Sequence, residues 1–201
     1  VIHWIGYAGF MNYLAHLALA QPTVASKVGN LLGDFMRGVD AAQLPEPVRL
    51  GLDNHRLVDR LTDQHPEVMA SRRLFSPQRR RFAGVAMDVL FDHFLLRHWA
   101  HFHDEALAAS VARDYQLLLQ GQPLMPAPMR EHVSRLVAHD GLRYYRTLEE
   151  VGQALDRIAG RIRFANRFQG MADELAQHYD VLEQVFLRLY PQLQREWRRS
   201  D

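Results

Sequence analysis

The 201-residue chain contains no cysteine, which excludes disulfide bonds and thiolate-bound metal sites. Lysine is nearly absent too, since Lys27 is the only one. Almost all positive charge is therefore carried by arginine, whose planar guanidinium suits phosphates and carboxylates. The formal net charge is only +1, so there is no overall field to attract nucleic acid. Because a cysteine-free chain fits a reducing compartment, we expect a cytoplasmic protein that binds no nucleic acid.

Long apolar runs of membrane-spanning length are also missing. The most apolar stretch near the beginning, Ile5–Ala20, is interrupted by two polar residues, has no basic residue before it and is too short to cross a bilayer. We expect no membrane association. Met11 is the expected start of the domain. Residues 1–10 are then an upstream extension or a remnant of cloning, and residues 11–201 form one domain.

Segments that alternate apolar and polar β-branched residues are absent, and the apolar spacing is mostly helical. With 48% apolar residues, the chain is long enough for one well-buried core. These features predict an all-α, single compact helical domain. The predicted helices cover 11–19, 29–38, 47–63, a segment that begins at Pro66, another that begins at Ser76-Pro77, 82–102, 130–140, a segment capped by Thr147 and Glu150, and 171–197 with a bend or break at Pro191. Residues 120–129 are predicted to form a loop.

Three side chains with metal-binding groups follow one stripe of the helix after Pro47. His55, Asp59 and Asp63 are spaced four residues apart, so their side chains stack on one face. The leucines of the opposite side are expected to pack inward. They are Leu50, Leu57 and Leu61. A stripe of this kind is either a solvated face or one wall of a site.

A second pair of acids lies in residues 87–96, which are apolar on almost all sides and therefore predict a buried helix. Asp88 and Asp92 are one turn apart in it, and His93 is next to them. A buried carboxylate is costly unless it meets a cation, a metal or several donors. Two explanations remain open, a metal ion or buried ion pairs with Arg56, Arg60 or Arg97.

Two further segments add polar groups. Asp34 lies between two glycines, three residues before Arg37, and His16 lies in the apolar first helix. Oxygen and imidazole ligands without thiolate suit Mn²⁺, Mg²⁺, Fe²⁺ or Zn²⁺. Such a metal lowers the pKa of water and binds phosphate oxygens, and arginines stabilise the charge that develops on a phosphoryl group. The residues themselves therefore indicate metal-assisted phosphoester hydrolysis without naming a substrate.

The order of these segments along the chain resembles the acyl carrier protein phosphodiesterase family. The resemblance covers almost the whole chain from Met11 to Pro191. It is carried by five blocks, which are Met11-Asn12-Tyr13-Leu14-Ala15-His16-Leu17, Gly29-Asn30-Leu31-Leu32-Gly33-Asp34-Phe35 with Arg37-Gly38, His55-Arg56 with Asp59 and Leu61-Thr62-Asp63, Asp88-Val89-Leu90-Phe91-Asp92-His93-Phe94-Leu95 with Arg97-His98-Trp99, and the weaker His178-Tyr179-Asp180 with Leu182-Glu183 and Tyr190-Pro191.

The resemblance implies an all-helical, HD-domain-like enzyme that prefers Mn²⁺. It would hydrolyse the phosphodiester between the carrier serine and the 4′-phosphopantetheine arm, releasing apo-carrier and 4′-phosphopantetheine. The doublet Asp92-His93 is reversed relative to the usual His-Asp. The residues that would hold the metal are His16, Asp34, His55, Asp59, Asp88, Asp92 and His93. Asp34, Arg37 and Arg56 would act on the phosphate.

Acyl carrier proteins are small and acidic, so the resemblance also implies a basic docking surface. The candidate clusters are Arg72-Arg73, Arg79-Arg80-Arg81 and Arg161-Arg163-Arg167. Two other functions fit the residues. One is an HD-type phosphohydrolase acting on a nucleotide or another small phosphoester. The other is a non-catalytic helical binding protein in which the buried acids are only salt-bridged.

Overall fold

A computed structural model describes residues 13–162 and 167–199 of the chain. Within those ranges the structure contains eleven α-helices and no strand, which confirms the all-α prediction. Residues 1–10 and the start of the first predicted helix lie outside the described part. The helices are α1 (Tyr13–Ala18), α2 (Val24–Leu32), α3 (Glu46–Gln64), α4 (Pro66–Ser71), α5 (Ala83–Arg97), α6 (Trp99–Phe102), α7 (Leu107–Gln120), α8 (Ala127–Ala138), α9 (Leu148–Arg161), α10 (Met171–Gln177) and α11 (Tyr179–Arg199).

Helices whose start depends on a local signal begin where the sequence predicts. Pro47 lies in the first turn of α3 and Pro66 opens α4, because proline fits the first turn, where no backbone donor is needed. Thr147 and Glu150 form a capping box that begins α9, in which the hydroxyl accepts from the Glu150 amide at 3.2 Å. These predictions are confirmed.

Other boundaries are corrected by the structure. The helix predicted from residue 29 begins five residues earlier, at Val24, because the Thr23 side chain accepts a hydrogen bond from the Ser26 amide and caps it. The pair Ser76-Pro77 does not begin a helix. Instead, the amide and hydroxyl of Ser76 both donate to the carboxylate of Glu174, at 2.9 and 2.7 Å.

Four differences occur further along the chain. The segment 82–102 is divided at His98 into α5 and α6. The last helix is interrupted at His178 instead of Pro191, through which α11 continues. Helix α7 was not predicted at all, and the predicted loop 120–129 ends sooner because α8 begins at residue 127.

The core is organised around α5, which is buried on all sides and contacts α1, α9 and α11. Its aromatic side chains pack against α11, where Phe91 and Phe94 both lie within 6 Å of the Phe186 ring centre. Because α5 is surrounded by other helices, its polar residues must find partners inside the protein. This requirement fixes what Asp88, Asp92 and His93 can do.

Helices α2 and α3 pack closely because two glycines meet between them. A Cβ atom at Gly29 would lie 2.2 Å from the Val48 carbonyl oxygen, and one at Gly51 would lie 2.7 Å from the Ser26 carbonyl oxygen. This contact turns His55 inward and leaves Leu50 61% exposed. The prediction that the leucines of α3 face the core is therefore wrong for Leu50.

The single lysine is also structural. Lys27 is buried, donates to the Leu17 carbonyl oxygen at 2.6 Å and pairs with Asp114 at 2.8 Å. It thereby joins α1, α2 and α7. None of the described helices combines the length and apolar character required to span a bilayer.

Candidate metal centre

A small polar pocket lies where α1, α3, α5 and the 3-10 turn Gly33–Phe35 meet. Its volume is about 110 Å³, which is enough for an ion and a few ligand atoms. Imidazole and carboxylate groups make up most of its wall. The lining residues are His16, Asp34, His55, Asp59, Thr62, Asp63 and Asp88.

Three of these side chains point their ligand atoms at one position. His16 and His55 stack with ring centres 4.0 Å apart and planes 22° from parallel. The Nε2 atoms of His16 and His55 lie 3.2 Å from the Oδ1 and Oδ2 atoms of Asp59, respectively. One ligand atom from each residue falls within 4.8 Å of the others. Two imidazoles and one carboxylate are a ligand set that transition metals accept.

The position of His55 depends on a glycine. A Cβ atom at Gly33 would lie 2.1 Å from the Cδ2 and Nε2 atoms of the His55 ring. Any other residue at this position would therefore displace the imidazole. The same glycine begins the 3-10 turn that carries Asp34 into the pocket. The Gly33-Asp34 pair thus serves two ligand-bearing segments.

His16 lies on α1, a helix of only two turns that is fixed at both ends. At the first turn, the Asp92 carboxylate accepts from the Leu14 and Ala15 amides at 3.1 and 2.9 Å. Near the last turn, the Leu17 carbonyl oxygen accepts from the Lys27 ammonium. Such a short helix is marginal by itself, so these contacts hold His16 in place.

The protonation of the three side chains follows from burial and mutual contact. Burial, together with the neighbouring His55, lowers the pKa of His16 to about 4. Burial also lowers the pKa of His55, but the Asp59 carboxylate, with Asp34 and the Asn30 backbone, raises it by more, so the net shift is upward. Burial acts against ionisation of Asp59, yet both imidazoles hold its pKa well below the ordinary value. Asp59 is therefore ionised, as a metal ligand must be.

Two more carboxylates complete the wall. The Oδ2 atom of Asp34 is buried without a hydrogen-bond partner, and burial raises the pKa of this carboxyl to about 6. Burial also raises the pKa of Asp88, and the negative charges of Asp59 and Asp63 raise it further. Acids crowded in this way are stabilised by a cation placed among them.

The pocket therefore fits a divalent metal. Besides Asp34 Oδ2, the Nδ1 atom of His16 is buried without a hydrogen-bond partner. Buried polar atoms without partners are rare in folded proteins and call for an explanation. A metal held by His16, His55 and Asp59 would give the unpartnered oxygen of Asp34, which lies in the same pocket wall, a cation to bind.

Comparison with known proteins identifies the relatives of this chain. The family model described as acyl carrier protein phosphodiesterase matches residues 11–193. The chain belongs to the acyl carrier protein phosphodiesterase family. It is similar, at 35% identity, to proteins of that name from Serratia proteamaculans over 92% of this chain and 97% of the relative, and from Yersinia pestis over the same shares. No solved structure matches the chain, so the HD-like character of the fold stays a prediction.

Within this acyl carrier protein phosphodiesterase family member, five of the seven predicted metal-binding residues do meet. They are His16, Asp34, His55, Asp59 and Asp88. Thr62 and Asp63 also line the pocket but were not predicted as site residues. Asp63 had a signal, since it continues the stripe of His55 and Asp59, whereas Thr62 was marked only by its place in the third block of the family resemblance.

Asp92 and His93 are not placed with the other candidates. Among the described residues, neither of them lines the pocket, and neither belongs to the group of His16, His55 and Asp59. Asp92 is occupied by two backbone amides of α1. The His93 Nδ1 atom lies 2.9 Å from the Tyr145 carbonyl oxygen, and its Nε2 atom lies 2.7 Å from the Tyr179 hydroxyl. The structure thus gives both residues protein partners outside the pocket, and their role as ligands stays a prediction.

The two arginines predicted to contact phosphate are both exposed. Arg56 pairs with Asp53 at 3.3 Å and lines a larger, separate groove of about 710 Å³. Arg37 follows the 3-10 turn of Asp34. Neither of them lines the pocket. The expected ion pairs of the buried acids with Arg56, Arg60 or Arg97 are replaced by the contacts described above, and Arg97 pairs with Glu183 instead.

Proposed function

We propose that this protein hydrolyses the phosphodiester that joins the 4′-phosphopantetheine arm to the serine of acyl carrier protein, with a divalent metal held in the pocket. The observation that carries the proposal is the convergence of His16, His55 and Asp59 in a chain of this family. The products are apo-carrier and 4′-phosphopantetheine. Mn²⁺ is the expected metal, and the cytoplasm is the expected location.

Some residues of the pocket would bind the metal, and others would transfer protons. His16, His55 and Asp59 would hold the metal, with Asp34 or Asp88 completing the ligand set. When bound, the metal lowers the pKa of water and neutralises charge on the phosphate. The pocket is too small to admit the whole arm. The scissile phosphate therefore reaches its mouth, while the arm and the carrier lie outside.

Asp34 is suited to assist the attacking water. Its carboxylate lies in the pocket wall with one oxygen unpartnered, so it can accept the proton of a water that attacks phosphorus. As the new P–O bond forms, the bond between phosphorus and the serine oxygen breaks. The serine oxygen takes a proton from a histidine or from solvent. This sequence of steps balances as a hydrolysis.

The carrier would dock on arginines that come together from distant parts of the sequence. The 3-10 turns Arg72–Leu74 and Arg80–Phe82 are in contact. The Arg79 Nε atom donates to the Arg167 carbonyl oxygen at 2.8 Å, which brings the third cluster beside the second. Arg79 itself is tied to Glu174 and is half-buried, so the exposed neighbours Arg73, Arg80 and Arg81 are better suited to contact an acidic partner. Arg163 lies outside the described residues.

A mobility-shift assay of holo-carrier converted to apo-carrier tests the reaction directly. We expect conversion with Mn²⁺ and none after chelation. Asp59→Ala and Asp34→Ala should abolish it while retaining helix content, whereas the exposed Glu131→Ala on α8 should not. Near-normal conversion by both pocket variants, or conversion that ignores chelation, would contradict the proposal. A nucleotide panel assayed in parallel would reveal a small-molecule phosphohydrolase instead.

Docking is tested by charge reversal. The double variant Arg80→Glu with Arg81→Glu should raise KM for the carrier about tenfold or more and reduce its dependence on salt, because the lost contacts are screened by ions. Arg49→Glu is the control, because Arg49 lies near the opposite end of α3 from Asp63, which contacts Arg72 beside the docking arginines. At 1.5 Å per residue, the two ends are about 21 Å apart. Equal effects of the two reversals would refute a local docking surface.

A further inference from the structure

The pocket is lined by more carboxyl groups than one divalent ion can neutralise when all of them are ionised. Four carboxylates line it, those of Asp34, Asp59, Asp63 and Asp88. A divalent ion compensates two charges, and a phosphodiester brings a further negative charge. Because like charges repel strongly where water is scarce, binding of the substrate requires a cationic group at the mouth. Arg37 and Arg56, the arginines suggested by the sequence, do not line the pocket.

Arg72 does not line the pocket itself, but it forms an ion pair with one of the lining residues, Asp63. It begins the 3-10 turn that follows α4, and α4 reverses the chain after the end of α3. Its Nη2 atom lies 2.5 Å from the Oδ1 atom of Asp63, a wall residue. The same nitrogen would be 3.7 Å from a Cβ atom at Gly84, one turn before Asp88 on α5. Arg72 therefore lies between the two helices that carry the outer carboxylates.

The position of Arg72 sets it apart from the other arginines. Its guanidinium contacts Asp63 and lies against α5 one turn before Asp88. By contrast, the Arg56 guanidinium pairs with Asp53, a residue outside the pocket wall. Proximity to Asp63 and Asp88 thus distinguishes Arg72 from the exposed arginines of the proposed docking surface.

The contact with Asp63 leaves the guanidinium incompletely satisfied. The Nε atom of Arg72 is buried without a hydrogen-bond partner, and such a donor costs free energy until it finds an acceptor. Asp63 is 66% exposed and Arg72 is 36% exposed, so their ion pair can open with little loss. A phosphate has oxygens spaced to accept from Nε and Nη2 together, as guanidinium–phosphate pairs do.

We propose that Arg72 binds the phosphate of the substrate at the mouth of the pocket, and that Asp63 is a positioning residue that holds Arg72 there until the phosphate takes its place. This inference rests on the proposed function for the identity of the phosphodiester. It assigns to Arg72 a role different from that of the other arginines, since it would contact the reacting group and stabilise its charge during hydrolysis.

The competing explanation is that the ion pair merely attaches the turn after α4 to α3. A matched control separates the two roles. Arg188 on α11 pairs through two nitrogens with Glu67 of α4, and both side chains are exposed. Arg188→Ala therefore removes a comparable ion pair that attaches α4 to a neighbouring helix, and neither Arg188 nor Glu67 lines the pocket.

The experiment compares Arg72→Ala, Arg72→Lys, Asp63→Asn and Arg188→Ala, each supplied with Mn²⁺. Hydrolysis is measured with holo-carrier and with bis(p-nitrophenyl) phosphate, which offers a phosphodiester without a carrier. We expect Arg72→Ala to lower kcat/KM about 100-fold on both substrates, Arg72→Lys to recover part of it, and Asp63→Asn to lower it less. Arg188→Ala should remain within about twofold of the unmodified protein.

Phosphate binding is measured separately from activity, as the rise in melting temperature that inorganic phosphate causes with Mn²⁺ present. Arg72→Ala should lose this rise and keep the rise caused by Mn²⁺ alone. Loss of carrier cleavage with unchanged cleavage of the small phosphodiester would overturn the inference and make Arg72 a docking residue. Effects no larger than those of Arg188→Ala would also overturn it.

The two proposals fail in different ways. If the unmodified protein does not cleave holo-carrier but cleaves the small phosphodiester, the proposed substrate is wrong, while sensitivity of that cleavage to Arg72→Ala supports the inference. If neither substrate is cleaved, the phosphate-induced rise in melting temperature decides: its loss in Arg72→Ala supports the inference, and its persistence refutes it.

Discussion

The carboxylate of Asp92 accepts hydrogen bonds from the backbone amides of Leu14 and Ala15, 78 and 77 residues away in the chain. These amides belong to the first turn of α1, where no backbone acceptor within the helix is available. Asp92 therefore completes the short helix that carries His16. An acid in the buried helix α5 thus supports the candidate metal centre through the backbone of α1.

The first prediction separates this supporting role from direct ligation. Asp92→Ala leaves two buried amides unpaired, at a cost of about 1–3 kcal/mol each, so thermal stability should fall clearly. Affinity for Mn²⁺, measured by calorimetry, should fall about 10–100-fold, as when a partner of a ligand is removed. Asp59→Ala should instead abolish binding with a smaller loss of stability. If Asp92→Ala abolishes binding and stability is retained, Asp92 is a ligand.

The second prediction concerns the pH dependence of stability. Burial raises the pKa of Asp92 to about 7, although the Ala15 and Leu14 amides act to lower it. In the unfolded chain the carboxyl ionises near its ordinary value of 3.8. Between these values the unfolded state releases the proton first, so the contribution of Asp92 is fully present below about pH 4 and is lost as pH rises through about 7.

Asp92→Asn isolates this contribution, because the amide does not titrate in that range. Urea unfolding from pH 4.5 to 7.5 should show the difference in unfolding free energy between the unmodified protein and the variant shrinking as pH rises. A difference that is constant or grows with pH would indicate that the carboxylate is ionised throughout, as a conventional helix cap is.

Local sequence signals predict correctly those helix starts that depend on contacts within one turn. The Thr147–Glu150 box and the prolines of α3 and α4 begin helices because their partners lie within one turn. The predicted helix start at Ser76-Pro77 is wrong because Ser76 bonds to Glu174, which is 98 residues away in the chain. Leu50 is exposed because the close approach of Gly29 and Gly51, which no periodicity reveals, decides which side of α3 faces inward.

The same reasoning applies to the site. Spacing placed His55 and Asp59 on one stripe, and burial marked Asp88 as a group in need of a partner. Burial alone could not distinguish a metal ligand from a carboxylate that binds backbone amides, so Asp92 was grouped with the ligands. Arg72 was assigned only to a surface cluster, because its approach to Asp63 depends on how α4 turns back after α3.

The third prediction tests the dependence of His55 on Gly33. Gly33→Ala would place a Cβ atom 2.1 Å from the His55 ring, so the imidazole must move. We expect Mn²⁺ affinity to fall at least tenfold with helix content preserved in circular dichroism. Gly160→Ala on α9 is the control, since no atom lies within 4 Å of its Cβ position; it should stabilise the helix by about 0.5–1 kcal/mol and leave metal binding unchanged. Unchanged affinity in Gly33→Ala would contradict the assigned geometry.

The fourth prediction concerns the reversed doublet. Because the Tyr145 carbonyl oxygen can only accept, the His93 Nδ1 atom donates to it, and Nε2 of the neutral ring accepts from the Tyr179 hydroxyl. Burial lowers the pKa of His93, which favours this neutral form. The Nδ1 atom therefore joins α5 to the segment before α9, the Nε2 atom joins it to α11, and in this arrangement neither nitrogen is available to a metal.

Tyr179→Phe removes the donor to His93 and should destabilise the protein by about 1–3 kcal/mol, because a half-buried ring nitrogen loses its partner. The rise in melting temperature caused by Mn²⁺ should be unaffected. Tyr144→Phe provides the comparison, since its hydroxyl bonds Gln153 at 3.3 Å on the surface, and its effect should stay within about 0.5 kcal/mol. If Tyr179→Phe removed the response to Mn²⁺ without a loss of stability, His93 would belong to the metal centre, and the separation of the doublet from the pocket would be wrong.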